Sequence, residues 1–150
     1  MNRFVPALAL TAFASAGLAG AALGHGGVSN PMVMARMEAM SAIAAEVKTL
    51  TKMARGEVAF DAAEVTRAME AIATTGAQVP ALFEAPETDP KSEASPTIWV
   101  NYPEFTQRAA AMIEAAEAGV GAGDEFALDA ALGTLGQTCK SCHGSFKIQN

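Results

Sequence analysis

Near the C-terminal end two cysteines and a histidine fall within five residues: Cys139-Lys140-Ser141-Cys142-His143. Thiols and an imidazole in this order form a C-x-x-C-H, the attachment signature of c-type haem. The spacing has a chemical reason. Two thiols add to the two vinyl groups of one porphyrin, and the adjoining imidazole must then reach the iron from one face. On a helix Cys139 and Cys142 are i and i+3, and His143 is i+4 from Cys139, so all three project together. Three other chemistries use the same residue types. A thioredoxin-like redox pair wants a βαβ setting, which the sequence lacks. A zinc site needs two further ligands, and His25 is the only other histidine. A structural disulfide between helical i,i+3 cysteines is poorly placed.

The element that carries the motif is a helix. Leu128, Leu132, Leu135, Cys139, Cys142 and Phe146 recur at steps of four and three, and Asp124 is positioned to cap its start. The motif therefore shares the apolar stripe of its own helix, which predicts a haem in or against the core. Three more segments have the same period. Ser29-Asn30-Pro31 is a helix start, after which Val33, Met37, Met40, Ala44, Val47, Thr51 and Ala54 mark one stripe as far as Gly56. Asp61 with Glu64 three residues on reads as a capping box before Val65, Met69, Ile72 and Val79. A helix from about Pro103 carries Phe105, Ala109, Met112 and Ala116 and stops in the glycines from Gly119 to Gly123. Residues 80–102 hold four prolines and read as a long connection, with Leu82, Phe83, Ile98, Trp99 and Tyr102 available to anchor it. The predicted fold is all-α, an antiparallel four-helix bundle with a long connection between helices 2 and 3.

Composition narrows the function. The 150 residues are 51% hydrophobic and 17% charged, with 10 basic against 16 acidic side chains. A net charge of −6 argues against nucleic acid as a partner. Residues 1–24 read as a cleaved signal peptide: Arg3, an apolar run from Phe4 to Leu23, and small residues at Ala21-Ala22-Leu23-Gly24. An uncleaved membrane anchor is the competing reading, since the run approaches the length of a bilayer span. Cleavage leaves residues 25–150 as an acidic haem domain in the periplasm, the side on which bacteria attach haem. It would also expose His25 at a new N-terminus, where the histidine reads as part of a frayed end.

At this point the chain resembles a family, the class II cytochromes c of the cytochrome c-prime type. Arg36 and Met40 are similar to its R-x-x-x-(distal residue) pattern. The segment from Met53 to Asp61 is similar to its M-A-x-G-x-x-x-(F/Y)-D turn, and Ser95-Pro96-Thr97-Ile98-Trp99 to its K-P-x-I-W segment. Cys139 to Lys147 ends like its C-K-x-C-H-x-x-(F/Y)-(K/R). The resemblance implies one haem c held through two thioethers at Cys139 and Cys142, with His143 as axial iron ligand. It implies Met40 as the residue facing the iron from the other side, and Arg36 as a contact for a haem propionate. Homodimers through the first two helices are implied as well.

The distal residue divides the expected function. With Met40 as second ligand the protein is an electron carrier serving redox partners of a respiratory or photosynthetic chain. A thioether ligand favours ferrous iron and raises the potential. With Met40 as a gate only, the iron is five-coordinate and high-spin and binds NO or CO. Met37 and Met40 both lie on the stripe facing the last helix, whereas Met34 lies farther round. No enzyme activity is expected, because the methionine-rich stripe offers no acid–base group. Arg36 could instead be an exposed arginine among acidic neighbours such as Glu38. Lys140 and Lys147 flank the motif and are either a small positive docking rim or ordinary solvated lysines.

Overall fold

A computed structural model describes residues 27–149. The predicted signal segment and His25 lie outside those residues. Helix α1 spans Pro31–Ala54, α2 Ala62–Gly76, α5 Tyr102–Gly119 and α6 Glu125–Phe146. Two one-turn helices, α3 (Val79–Leu82) and α4 (Thr97–Val100), sit within the long connection. Among the described residues there is no strand, only one isolated antiparallel bridge between Ala94 and Lys147. No helix among them is long and apolar enough to cross a membrane.

The helix ends follow local chemistry. The Asn30 Oδ1 accepts from the backbone N–H groups of Met32 and Val33 at 2.9 and 3.2 Å, and Asp124 Oδ1 accepts from Ala127 at 2.8 Å. These bonds satisfy donors that the first helical turn leaves unpaired. Helix α1 stops in a Schellman arrangement. Gly56 N–H reaches the Met53 carbonyl and Glu57 N–H the Lys52 carbonyl, each at 2.9 Å. That turn needs the left-handed backbone that Gly56 takes at φ +66°. The capping box at α2 is only half formed. Asp61 accepts from Ala63 and Glu64 N–H, but the Glu64 carboxylate turns outward to Arg67, a charged partner within one turn.

The four long helices pack in the cyclic order α1, α2, α5, α6. Leu50, Val65, Met69, Ile72, Ala116, Leu128 and Leu135 form the centre of the core. Two glycines sit in the contact between α2 and α5. A Cβ at Gly76 would meet Met112 Cε at 2.8 Å, and one at Gly119 would meet Met69 Cε at 2.9 Å.

The connection folds back as its apolar residues predict. Trp99 Nε1 donates to the Phe83 carbonyl at 2.8 Å and Tyr102 Oη to the Pro80 carbonyl at 2.6 Å. Its far end is stitched to the end of α6, where Ser95 N–H donates to Phe146 O and Ile148 N–H to Glu93 O. Two further clasps hold its near end. Arg36 is only 3% exposed and donates through Nε, Nη1 and Nη2 to the carbonyls of Leu82, Glu87 and Ala85 at 2.8, 2.7 and 2.6 Å. Its guanidinium also lies 4.8 Å from the Phe83 ring centroid and 5.4 Å from that of Trp99. Asp89 Oδ2 accepts from Ser29 N–H, Ser29 Oγ and Asn30 N–H, and Oδ1 from Lys91 N–H. Those backbone donors, led by Lys91 and Ser29, hold the Asp89 carboxyl down at a pKa of about 2.

Both clasps are testable. Replacing Arg36 with Met leaves three inward carbonyls without their donor, a loss of about 3 kcal/mol on the scale for orphaned buried acceptors. The readout is the urea midpoint, together with proteolysis that begins in residues 82–91. An unchanged midpoint would remove the clasp from the fold. For Asp89 the folded pKa lies below its ordinary 3.8, so its contribution is complete above about pH 4 and drains away as pH falls toward 2. Asp89→Asn should therefore flatten the acid limb of the stability curve over that interval, while an unaltered limb would assign acid loss to other groups.

Candidate haem site

Helices α1 and α6 diverge around a cavity of about 650 Å³, within the range of roughly 300–1,000 Å³ of cofactor sites. The N-terminal part of α1 faces the C-terminal part of α6 across it, as antiparallel neighbours must. From α1 come Met37, Met40, Ala44 and Val47, and from α6 come Cys139, Cys142 and His143. Phe83 and Ile98 from the connection and Phe105, Ala109 and Met112 from α5 close the inner side. Phe105 stands edge-on to Phe146 with centroids 5.5 Å apart and tilted against Phe83 at 5.1 Å.

The stripe read from the sequence of α1 is thus the cavity wall. The tightly buried positions are Val33, Arg36, Ala39, Ile43, Leu50 and Met53, while Met37, Met40 and Val47 are only partly buried and Ala44 is exposed. A helix that borders both a core and an apolar cavity carries two adjoining apolar faces, and periodicity marks their sum. Met32 and Met34 do not line the cavity, whereas Met37 and Met40 both do.

The motif residues stand together on this wall. Cys139 and Cys142 are free, partly buried thiols, and burial raises the pKa of each, with the Arg108 charge opposing the rise at Cys142. The thiols therefore stay protonated at neutral pH. The His143 ring keeps an exposed side, but the protein packed against it lowers its pKa, with Lys147 adding to the effect and Glu93 opposing it. An imidazole so biased is neutral and has a lone pair free for a metal. Among the described residues no three His, Cys, Asp or Glu side chains gather into a metal site, so the zinc alternative has no further ligands there. Two free thiols, a neutral imidazole and a thioether on one mainly apolar cavity form a donor set that fits a covalently held haem.

One alternative needs correction. The exposed alternative for Arg36 does not hold, because the side chain is buried. Three of its five N–H donors are committed to carbonyls of the connection, so its role in this structure is to hold that loop, although it also borders the cavity. Of the two lysines flanking the motif, Lys147 Nζ meets the Glu93 carboxylate at 3.1 Å, whereas Lys140 is exposed. Arg108 of α5 decides the motif's surroundings. Arg108 Nη1 donates to the carbonyl of Ser141 and, at 2.8 Å, to its Oγ, in the middle of the C-x-x-C-H turn. Glu104, one turn earlier on α5, pairs with the same guanidinium. Only that i,i+4 acid gave a signal in sequence.

With this geometry in view, relatives are informative. The family model described as Cytochrome C' matches residues 31–147. A cytochrome c' from Rhodopseudomonas palustris is 36% identical over 104 residues, covering 68% of this chain and 71% of that protein. The solved structure of cytochrome c' from Rhodopseudomonas palustris aligns with a TM-score of 0.75 at 31% identity, covering 81% of this chain and 99% of the other. A ferrous variant of cytochrome c prime from Alcaligenes xylosoxidans with bound NO aligns at 0.70 and 30% identity, covering 79% and 94%. The chain belongs to the cytochrome c' family, with that family's four-helix bundle and its cofactor, a haem c attached through two thioethers.

Proposed function

We propose that this protein is a periplasmic monohaem electron carrier in which Met40 and His143 are the axial iron ligands. The observation that carries the reading is the opposition of α1 and α6, which puts the Met40 thioether and the His143 imidazole on the walls of one cavity. Bound haem c supplies a one-electron iron couple. Cys139 and Cys142 are the thioether anchors, one turn apart on the wall that also presents His143. Phe105, Ile98 and Met112 exclude water from the inner side of the cavity. Met40, on the wall facing the motif, would supply the second iron ligand, so the protein passes electrons and transforms no substrate. Its partners are redox proteins of a respiratory or photosynthetic chain, with self-association through α1 and α2 as a further contact. Export rests on the N-terminal segment.

A second reading has its own support. The NO-bound relative carries a bundle similar to this one, and Met40 is flexible enough to serve as a gate instead of a ligand. In that case the ferrous protein takes up NO or CO.

Ferric and ferrous absorption spectra, before and after CO, separate the two. A low-spin pattern indifferent to CO is expected, and Met40→Ala should convert it to a high-spin, CO-responsive one. A native protein that is already high-spin and responds to CO would remove Met40 from the ligand set and establish the gas-binding reading. The same comparison with Met37→Ala should leave the native spectrum in place.

A further inference from the structure

The chain is acidic overall, with 16 acidic side chains against 10 basic, but its charges are not evenly spread. Among the described residues, Arg36, Lys48, Lys91, Arg108 and Lys147 line the cavity against one acid, Glu93. Lys147 is paired with Glu93 and Arg108 with Glu104. Arg36 is held by carbonyl dipoles, which stabilise its charge without cancelling it. Lys48 and Lys91 are exposed, and neither ammonium has a hydrogen-bond or ion-pair partner among the described residues. The Lys91 backbone is nonetheless pinned, because its N–H donates to Asp89, itself tied to the start of α1. Bound haem brings two propionates to the same cavity, so with Glu93 three carboxylates face five cations there, and the border keeps a positive excess in a protein whose net charge has the opposite sign.

We propose that the cavity mouth is an electropositive docking surface, centred on Lys48 and Lys91, for a redox protein that presents an acidic face around its own electron donor or acceptor. The inference rests on the electron-carrier reading and adds the chemistry of its partner. A local field of this kind steers encounter over about a Debye length, roughly 10 Å at moderate salt, so charge near the electron exit outweighs charge on the far side of the bundle.

Small oxidants test this without a known partner. The ferrous holoprotein is mixed with ferricyanide, a trianion that takes one electron to become ferrocyanide, and separately with the trication tris(phenanthroline)cobalt(III). If the local surface governs encounter, the ferricyanide rate falls as ionic strength rises and the cobalt rate climbs, despite the negative net charge. K48E/K91E should reverse both slopes and slow ferricyanide about ten-fold at low salt, the lower end of electrostatic steering. R55E makes half that change in net charge at the far end of α1 and should leave the slopes unreversed. A second readout is free of redox chemistry: added poly-L-glutamate should shift the amide resonances of residues 48 and 91 at low salt and release them at high salt. A ferricyanide rate that rises with salt in the native protein, or a reversal by R55E, would overturn the proposal. Both oxidants act whether or not Met40 ligates, so the CO spectra judge the ligation reading separately.

Discussion

Two helices that enclose a cavity cannot also close on each other, and this constraint organises the molecule. Helices α1 and α6 each bury one face in the common core and offer an adjoining face to the space between them. Apolar area on both faces must be covered, since the hydrophobic driving force scales with area removed from water. The core faces are covered by α2 and α5, which approach closely where Gly76 and Gly119 remove a side chain from the contact. A haem c held in that cavity would cover the adjoining faces of α1 and α6 and so add to the bundle's packing.

The long connection closes what the helices leave open. It passes from the end of α2 across the N-terminal half of α1 and reaches the end of α6. Its carbonyls surround the Arg36 guanidinium. A buried cation needs such partners, because burial without them costs several kcal/mol. The same segment supplies Phe83 and Ile98 to the cavity wall and, through Lys91, a cation to its border. Loop, buried charge and cavity wall are therefore one coupled arrangement.

The motif is held from two directions. Arg108 reaches across from α5 to the Ser141 carbonyl and hydroxyl, and the Glu93–Ser95 backbone pairs with the end of α6. These contacts set the direction of the turn that carries Cys142 and His143. A charge in Arg108's place also opposes the rise that burial imposes on the Cys142 pKa, so positioning and electrostatics come from one side chain.

What the sequence determined by itself is the set of features whose physics is local. Asn30, Asp61 and Asp124 cap helices because a side chain oxygen reaches an N–H two or three residues away. Gly56 ends α1 because the turn there needs a positive φ. Cys139, Cys142 and His143 share a face because helical spacing places them there. Tertiary structure alone decided which apolar face of α1 became core and which became cavity wall, since one period describes both. It also decided that Arg36 holds a loop 46 to 51 residues away, that Arg108 seizes Ser141, and that Lys147 is taken by Glu93 while Lys48 and Lys91 have no such partner among the described residues. Those outcomes depend on backbone carbonyls and side chains brought together from distant parts of the chain, and carbonyls are the same at every residue, so no residue type announces them.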